Sequence, residues 1–262
     1  MNRVSKHVLA GLAIGGGCGI AVSACAHDDS TLFIYDVEAP QYVSAGTTCS
    51  FQSDPTQPYI ESGTLDLDFL TEYNPTYLVG NQLVAQSNPS ALATETSFIT
   101  LQKAVVRITD VEGKLLNTFT SSAAATIAPA SGTTPSYAAI SATTIDSQTA
   151  VTYGPKGAGS FVRFLTYVKF VGVTLGGQTI ESDEFVFPVD LCRGCLIDFA
   201  QADIDPLYLA PNCASNPGVM ATTTEVPCVR GQDLPVDCSQ CQDVAACSPP
   251  LIPVNDAGTA TD

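Results

Sequence analysis

The chain has 262 residues, 45% of them apolar and 14% charged, enough apolar material to bury a core and too much for a disordered or collagen-like chain. Its length suits one domain of ordinary size, or one domain with a small appendage. With 26 acidic against 10 basic side chains the formal net charge is −16. Arg107, Lys114, Arg163 and Lys169 are scattered in sequence, so the clustered cations that bind a phosphate backbone are missing and no nucleic-acid partner is expected.

Residues 1–24 contain no Asp or Glu, open with Arg3 and Lys6, and run apolar and glycine-rich from Val8 to Val22. That is the layout of an export signal. The run falls short of the roughly 20 apolar residues of a membrane span, and Gly15 to Gly17 weaken it as a helix. It ends Val22-Ser23-Ala24-Cys25, the pattern of a bacterial lipobox: an aliphatic residue, two small residues, then the cysteine whose sulfur takes diacylglycerol. The expected cofactor inventory is therefore empty apart from acyl lipid on Cys25, where each buried methylene contributes about 0.8 kcal/mol to membrane anchoring. An ordinary secretory signal cleaved after Ala24 is the competing reading. Cys18 is the poorer lipid site, because Gly15 stands where the aliphatic residue belongs.

Cleavage before Cys25 leaves eight further cysteines: Cys49, Cys192, Cys195, Cys213, Cys228, Cys238, Cys241 and Cys247. An even number in an exported chain reads as four disulfides, with connectivity left open by the spacing.

Residues 25–30 read as a lipidated stalk, and Leu32-Phe33-Ile34-Tyr35 begins the first strand. Leu65, Leu67 and Phe69 alternate with Asp66 and Asp68, which predicts a strand with an inward apolar face and an acidic face in solvent. Ile99 to Thr109 reads as a strand, and Asp110-Val111-Glu112-Gly113 as the turn leading to Leu115-Leu116. Ser121 to Ser136, rich in Ala, Ser, Thr and Pro, reads as a connection or mobile loop. Gly176-Gly177 marks a second hairpin between Val168–Leu175 and Gln178–Glu181, and Phe185, Phe187, Val189 and Leu191 alternate in a further strand. Short strands with turn signals and no three-turn amphipathic helix predict an all-β fold: an antiparallel β-sandwich of immunoglobulin-like architecture over residues 31–191. Seven cysteines between Cys192 and Cys247 predict a small disulfide-rich module over 192–248, followed by a disordered tail at 249–262.

Cys192-Arg193-Gly194-Cys195 and Cys238-Ser239-Gln240-Cys241 are both C-x-x-C, a spacing suited to a redox disulfide or half a zinc site. The two pairs lie wider apart than in a zinc ribbon, no βαβ context surrounds either, and exported cysteines are generally oxidised, so structural disulfides are expected and no metal ligand is assigned. His27 is the one histidine left after processing, which argues against a histidine-dependent catalytic site; no catalytic residue is assigned. Asp66 with Asp68, and Glu181 with Asp183 and Glu184, are candidates for carboxylate chemistry or calcium, against the plainer reading of solvated acidic faces. Tyr35, Tyr59, Tyr73, Tyr77, Tyr137, Tyr153 and Tyr167 suit half-buried strand positions, with a binding face as the alternative.

The chain resembles a group of envelope lipoproteins found mainly in myxobacteria. The resemblance is carried by Gly63-Thr64-Leu65-Asp66, Tyr73, Val79-Gly80-Asn81-Gln82-Leu83, Glu95-Thr96, Ile99-Thr100-Leu101 and Ala104-Val105-Val106, then by Phe187-Pro188-Val189, Cys192-Arg193-Gly194-Cys195-Leu196, Pro227-Cys228, Gly231-Gln232-Asp233 and Pro235-Val236-Asp237-Cys238. It implies an exported, lipid-anchored β-protein and brings no catalytic residue. Ala26, in place of the Asp that retains lipoproteins at the inner membrane of enterobacteria, points to the outer membrane. The expected function is a non-enzymatic, lipid-anchored cell-envelope protein with a structural, adhesion or binding role, partnered by the membrane through its lipid and by an envelope protein or polysaccharide. A periplasm-facing thiol oxidoreductase or metal-binding protein using one C-x-x-C pair is the alternative, and carbohydrate binding or hydrolysis at Asp66 and Asp68 a third.

Overall fold

The computed structural model describes residues 31–44, 47–86, 95–199 and 225–247. The export signal, Cys25, His27, Cys213 and the 249–262 tail lie outside the described residues. In chain order the elements are β1 (Leu32–Glu38), β2 (Tyr42–Ser44), β3 (Tyr59–Ile60), β4 (Gly63–Asp66), β5 (Thr76–Asn81), β6 (Ile99–Asp110), β7 (Leu115–Ile127), β8 (Ser136–Ser141), α1 (Ser147–Tyr153), β9 (Phe161–Thr174), β10 (Thr179–Glu181), β11 (Phe185–Cys192), β12 (Ile197–Asp198), β13 (Glu225–Pro227) and β14 (Val236–Asp237). The fold is all-β with one short helix.

Two larger sheets form, one ordered β3-β1-β5-β8 and one ordered β4-β11-β9-β6-β7, with β10 paired to β9. Pairing within them is antiparallel except for β4 against β11, which run parallel with Val189 opposite Gly63 and Cys192 opposite Asp66. That pair corrects the expectation of a purely antiparallel arrangement. Parallel neighbours need a long crossover, and here more than a hundred residues intervene.

Both expected hairpins form around a glycine with positive φ. Gly113 (φ +85°) donates its N–H to Asp110 at 3.1 Å, and Gly177 (φ +85°) donates to the Thr174 carbonyl at 2.8 Å. Where a loop was expected, Ser121 to Ile127 continues β7 instead, paired with Ile99 to Ala104 of β6 across one bulge between Leu101 and Lys103. Its buried residues are Ser121, Ala123 and Ile127. Small side chains at period two suffice here, because the β6 ladder positions the backbone and the inward positions leave little space.

The two sheets share one hydrophobic core. It contains Leu32, Val37, Tyr77, Val79 and Ile140 from the first sheet and Leu65, Val106, Phe164, Phe170, Phe187 and Leu191 from the second. Full burial of each large apolar side chain is worth roughly 1.5–3 kcal/mol, so these residues dominate stability. Tyr77 meets Phe170 edge to face at 5.6 Å, and its buried hydroxyl hydrogen-bonds the Thr144 hydroxyl at 2.9 Å. Helix α1 begins at Asp146, whose carboxylate accepts from Thr149 N–H at 3.0 Å while Asn117 of β7 donates to its other oxygen at 3.1 Å.

The cysteine-rich segments pack onto this core. β13 pairs with β2, and Cys228 just after it is disulfide-bonded to Cys49. The chain then lies along β4: Asp66 N–H donates to the Gly231 carbonyl at 2.9 Å, and Asp233 N–H donates to the Thr64 carbonyl at 2.9 Å. Gly231 has φ +87°, and a Cβ there would lie 2.3 Å from Phe69 Cβ, so this close approach admits glycine alone. Beyond it Val236, Cys241 and Cys247 form a second, smaller cluster with Phe69, Ile197 and Val244.

Candidate functional site

The first C-x-x-C is a closed disulfide, Cys192–Cys195, at the end of β11. The second is not a pair: Cys241 bonds Cys247, and Cys238 is bonded to a partner outside the described residues.

Asp66 and Asp68 do not share a solvated face, which corrects the reading of an acidic strand surface. Asp66 is fully buried. Its Oδ1 accepts the Gly194 N–H at 2.8 Å and the Asp68 N–H at 3.1 Å, and its Oδ2 accepts the Leu196 N–H at 2.9 Å. The carboxylate thus organises the backbone of the C-x-x-C loop from beneath. Asp68 pairs with the loop's Arg193 at 2.7 Å, and Arg193 also donates to the Pro155 carbonyl at 3.0 Å. Asp66 and the two sulfurs lie within 4.8 Å of one another, with Cys192 buried and Cys195 exposed. With the disulfide closed both sulfurs are committed to each other, and the carboxylate is committed to three N–H groups, so this trio offers a metal little coordination in its oxidised form.

Of the other acidic candidates, Glu181 and Glu184 are in separate ion pairs, and Asp183, exposed between them in sequence, is in none of the ion pairs among the described residues. Glu181 meets Lys169 at 2.6 Å, and Glu184 meets Arg107 at 2.8 Å with that guanidinium 3.7 Å above the Tyr167 ring. Hydrogen bonding and charge from Lys169 hold Glu181 below its ordinary value. Tyr73 and Tyr77 are fully buried, whereas Tyr35, Tyr59 and Tyr153 are exposed.

A different pair of carboxylates, Glu38 and Asp233, lines a cleft of about 200 Å³. The cleft lies where the ends of β1 and β8 and the start of β5 meet the 47–58 loop and the 228–233 segment, which the Cys49–Cys228 bond ties together. Val37, Pro40, Phe51, Pro75 and Val229 supply apolar walls, and no Lys, Arg or His lines it. Asp233 adopts φ +63°, and its carboxylate accepts the Thr64 N–H at 2.7 Å and the buried Tyr73 hydroxyl at 2.9 and 3.0 Å. Burial pushes Asp233 up to about 6 against those lowering hydrogen bonds, and burial together with Asp233 pushes the Tyr73 phenol well above its ordinary value.

Glu38 is 4% exposed, and its Oε1 has no hydrogen-bond partner among the described residues. Burial, reinforced by the negative charge of Asp36, pushes Glu38 up to about 7 against the lowering effect of the Gln52 backbone N–H. Sequence patterning passes over it, because Glu38 ends an apolar strand and its cleft partner lies 195 positions away. Gly231-Gln232-Asp233 was visible as a motif without a structural role.

No protein-family model matches the chain, and no curated protein matches it.

Proposed function

We propose that this is a non-enzymatic cell-envelope protein, lipid-anchored through Cys25, whose folded part is an immunoglobulin-like β-sandwich serving a binding role. The observation that carries the reading is the lipobox Val22-Ser23-Ala24-Cys25 placed directly before a cystine-rich β-fold whose first strand starts at Leu32. The seven residues from Cys25 to that strand span at most about 25 Å when extended, so the lipid would hold the domain close to the bilayer. The sheet orders support the immunoglobulin-like assignment: β1-β5-β8 corresponds to strands A, B and E, and β11-β9-β6-β7 to G, F, C and C′. Oxidised cysteines throughout the described residues fit an exported protein. The resemblance to myxobacterial-type envelope lipoproteins, and the outer-membrane address it implies, belong to the same reading.

Replacing Cys25 with Ser is expected to move the protein from the membrane fraction to the soluble fraction and to abolish incorporation of labelled palmitate. Unchanged membrane retention without label would refute the anchor. A second reading is favoured by one feature only, the exposed Cys195 in a C-x-x-C: thiol–disulfide exchange at Cys192–Cys195. It predicts that a dithiol such as reduced thioredoxin opens this bond while the other disulfides persist; resistance of the bond under those conditions would remove it.

A further inference from the structure

Oε1 of the buried Glu38 carboxylate has no hydrogen-bond donor, and among the described residues no cationic side chain lines its cleft. An unsatisfied buried acceptor is destabilising, and more so when charged, so such a group persists at a cost to the fold. Three observations say what would relieve it. The walls are aliphatic and aromatic, with Val37, Pro40, Phe51 and Pro75 lining the same cleft as the carboxylate, which suits a methylene stem. At about 200 Å³ the cleft falls below the size typical of sites for drug-sized ligands, and matches a single side chain or a short amine. Among the described residues no set of three or more His, Cys, Asp or Glu side chains converges in the cleft, so Glu38 and Asp233 are the two carboxylates a divalent cation would find there.

We propose that this cleft binds an alkylammonium group, with the ammonium on the Glu38 carboxylate and its methylene stem between Pro40, Phe51 and Pro75. Asp233, already hydrogen-bonded by Tyr73 and Thr64, adds negative potential without being the direct acceptor. The cleft lies at the Glu38 end of β1, six residues from Leu32, or roughly 20 Å at strand rise. The occupant that shares this chemistry is a lysine side chain of an envelope protein or a free diamine. This deepens the binding role proposed above and does not depend on the lipid.

The test is calorimetric titration of the full chain, extracted in detergent and, separately, as Cys25→Ser, with cadaverine, with the uncharged match pentanol, with N-acetyl-lysine amide and with calcium chloride. Cadaverine is expected to bind at least tenfold more tightly than pentanol. Glu38→Gln is expected to lose about tenfold or more in cadaverine affinity while its thermal transition is retained or raised. Val229→Lys, at an exposed position on the cleft wall, supplies a competing ammonium and is expected to weaken cadaverine binding with the fold intact. Acetyl-lysine amide binding as tightly as cadaverine assigns a protein side chain as the occupant, and cadaverine alone assigns a free amine. Equal binding of pentanol, unchanged affinity in a folded Glu38→Gln, or preference for calcium would overturn the proposal. Amine binding by a Cys25→Ser protein that stays on membranes would refute the anchor alone, and its absence from a lipidated protein would refute the cleft alone.

Discussion

The two-sheet core and the cystine-laced strap formed by 225–247 are held by different means. In the core, Phe164, Phe170, Phe187 and Tyr77 are almost wholly buried among other apolar side chains, and long ladders join β6, β7, β9 and β11. The strap has strands of two or three residues and a cluster of three buried residues. It is held instead by Cys49–Cys228, by the β4-side hydrogen bonds of Gly231 and Asp233, and by Gln232, whose side chain accepts from Asn74 N–H at 3.0 Å and donates to its carbonyl at 3.2 Å. Apolar burial scales with area and suits the larger region; a segment this poor in apolar contacts is ordered by cross-links and directed polar bonds.

The comparison breaks most sharply at the long-range disulfide. Cys49–Cys228 closes a sequence separation of 179, for which chain entropy gives about 5 kcal/mol, so Cys49→Ser with Cys228→Ser is expected to lower stability by roughly that amount in urea titration. Hydrogen exchange should then open the strap amides first and leave β6 and β9 protected until global unfolding. Phe170→Ala, costing roughly 3–5 kcal/mol, should instead lower the protection of both regions together. Simultaneous opening in the cysteine variant would mean that strap and core are one cooperative unit.

Asp66 joins the two regions, and Asp66→Ala leaves the N–H groups of Asp68, Gly194 and Leu196 without their acceptor. A loss of about 3 kcal/mol is expected, with Asp66→Asn recovering part of it because one amide oxygen remains. Equal stability of wild type and Asp66→Ala would show that the loop is held by its disulfide alone.

A pH dependence is seated where the strap meets the end of β1. Asp233, ordinarily near 3.8, is raised to about 6, and Glu38, ordinarily near 4.5, to about 7, with Asp36 the charged neighbour that raises Glu38 and Tyr73 the phenol facing Asp233. The folded state then binds more protons than the unfolded state between these limits. Stability from the two groups is full below about pH 4 and is lost as pH rises toward 7. Asp233→Asn with Glu38→Gln should flatten that slope; a slope unchanged in the double variant would place the protons elsewhere.

The parts of the fold legible in the sequence are those set by local geometry: the turns at Gly113 and Gly177, and the period-two burial of Phe187, Val189 and Leu191. Pairing partners are not local, so the parallel alignment of β4 with β11 left no trace in periodicity. Strand β7 was hidden because Ser121 and Ala123 occupy inward positions without looking apolar in bulk. Asp66 looked like a surface residue because alternation assigns a face, whereas β4 ends at Asp66 and the chain turns its carboxylate beneath the C-x-x-C loop. The cleft was illegible for the same reason as the strap's docking: Glu38 and Asp233 meet through tertiary structure and one disulfide.

The most direct test of a lipid-anchored, cystine-strapped β-domain is intact and peptide-level mass spectrometry of the protein extracted from membranes without reduction. The expected result is an N-terminus at acylated Cys25 with Cys49–Cys228, Cys192–Cys195 and Cys241–Cys247 linked and Cys238 in a fourth bond. An unacylated N-terminus, or a Cys238–Cys241 pair with free thiols elsewhere, would contradict it.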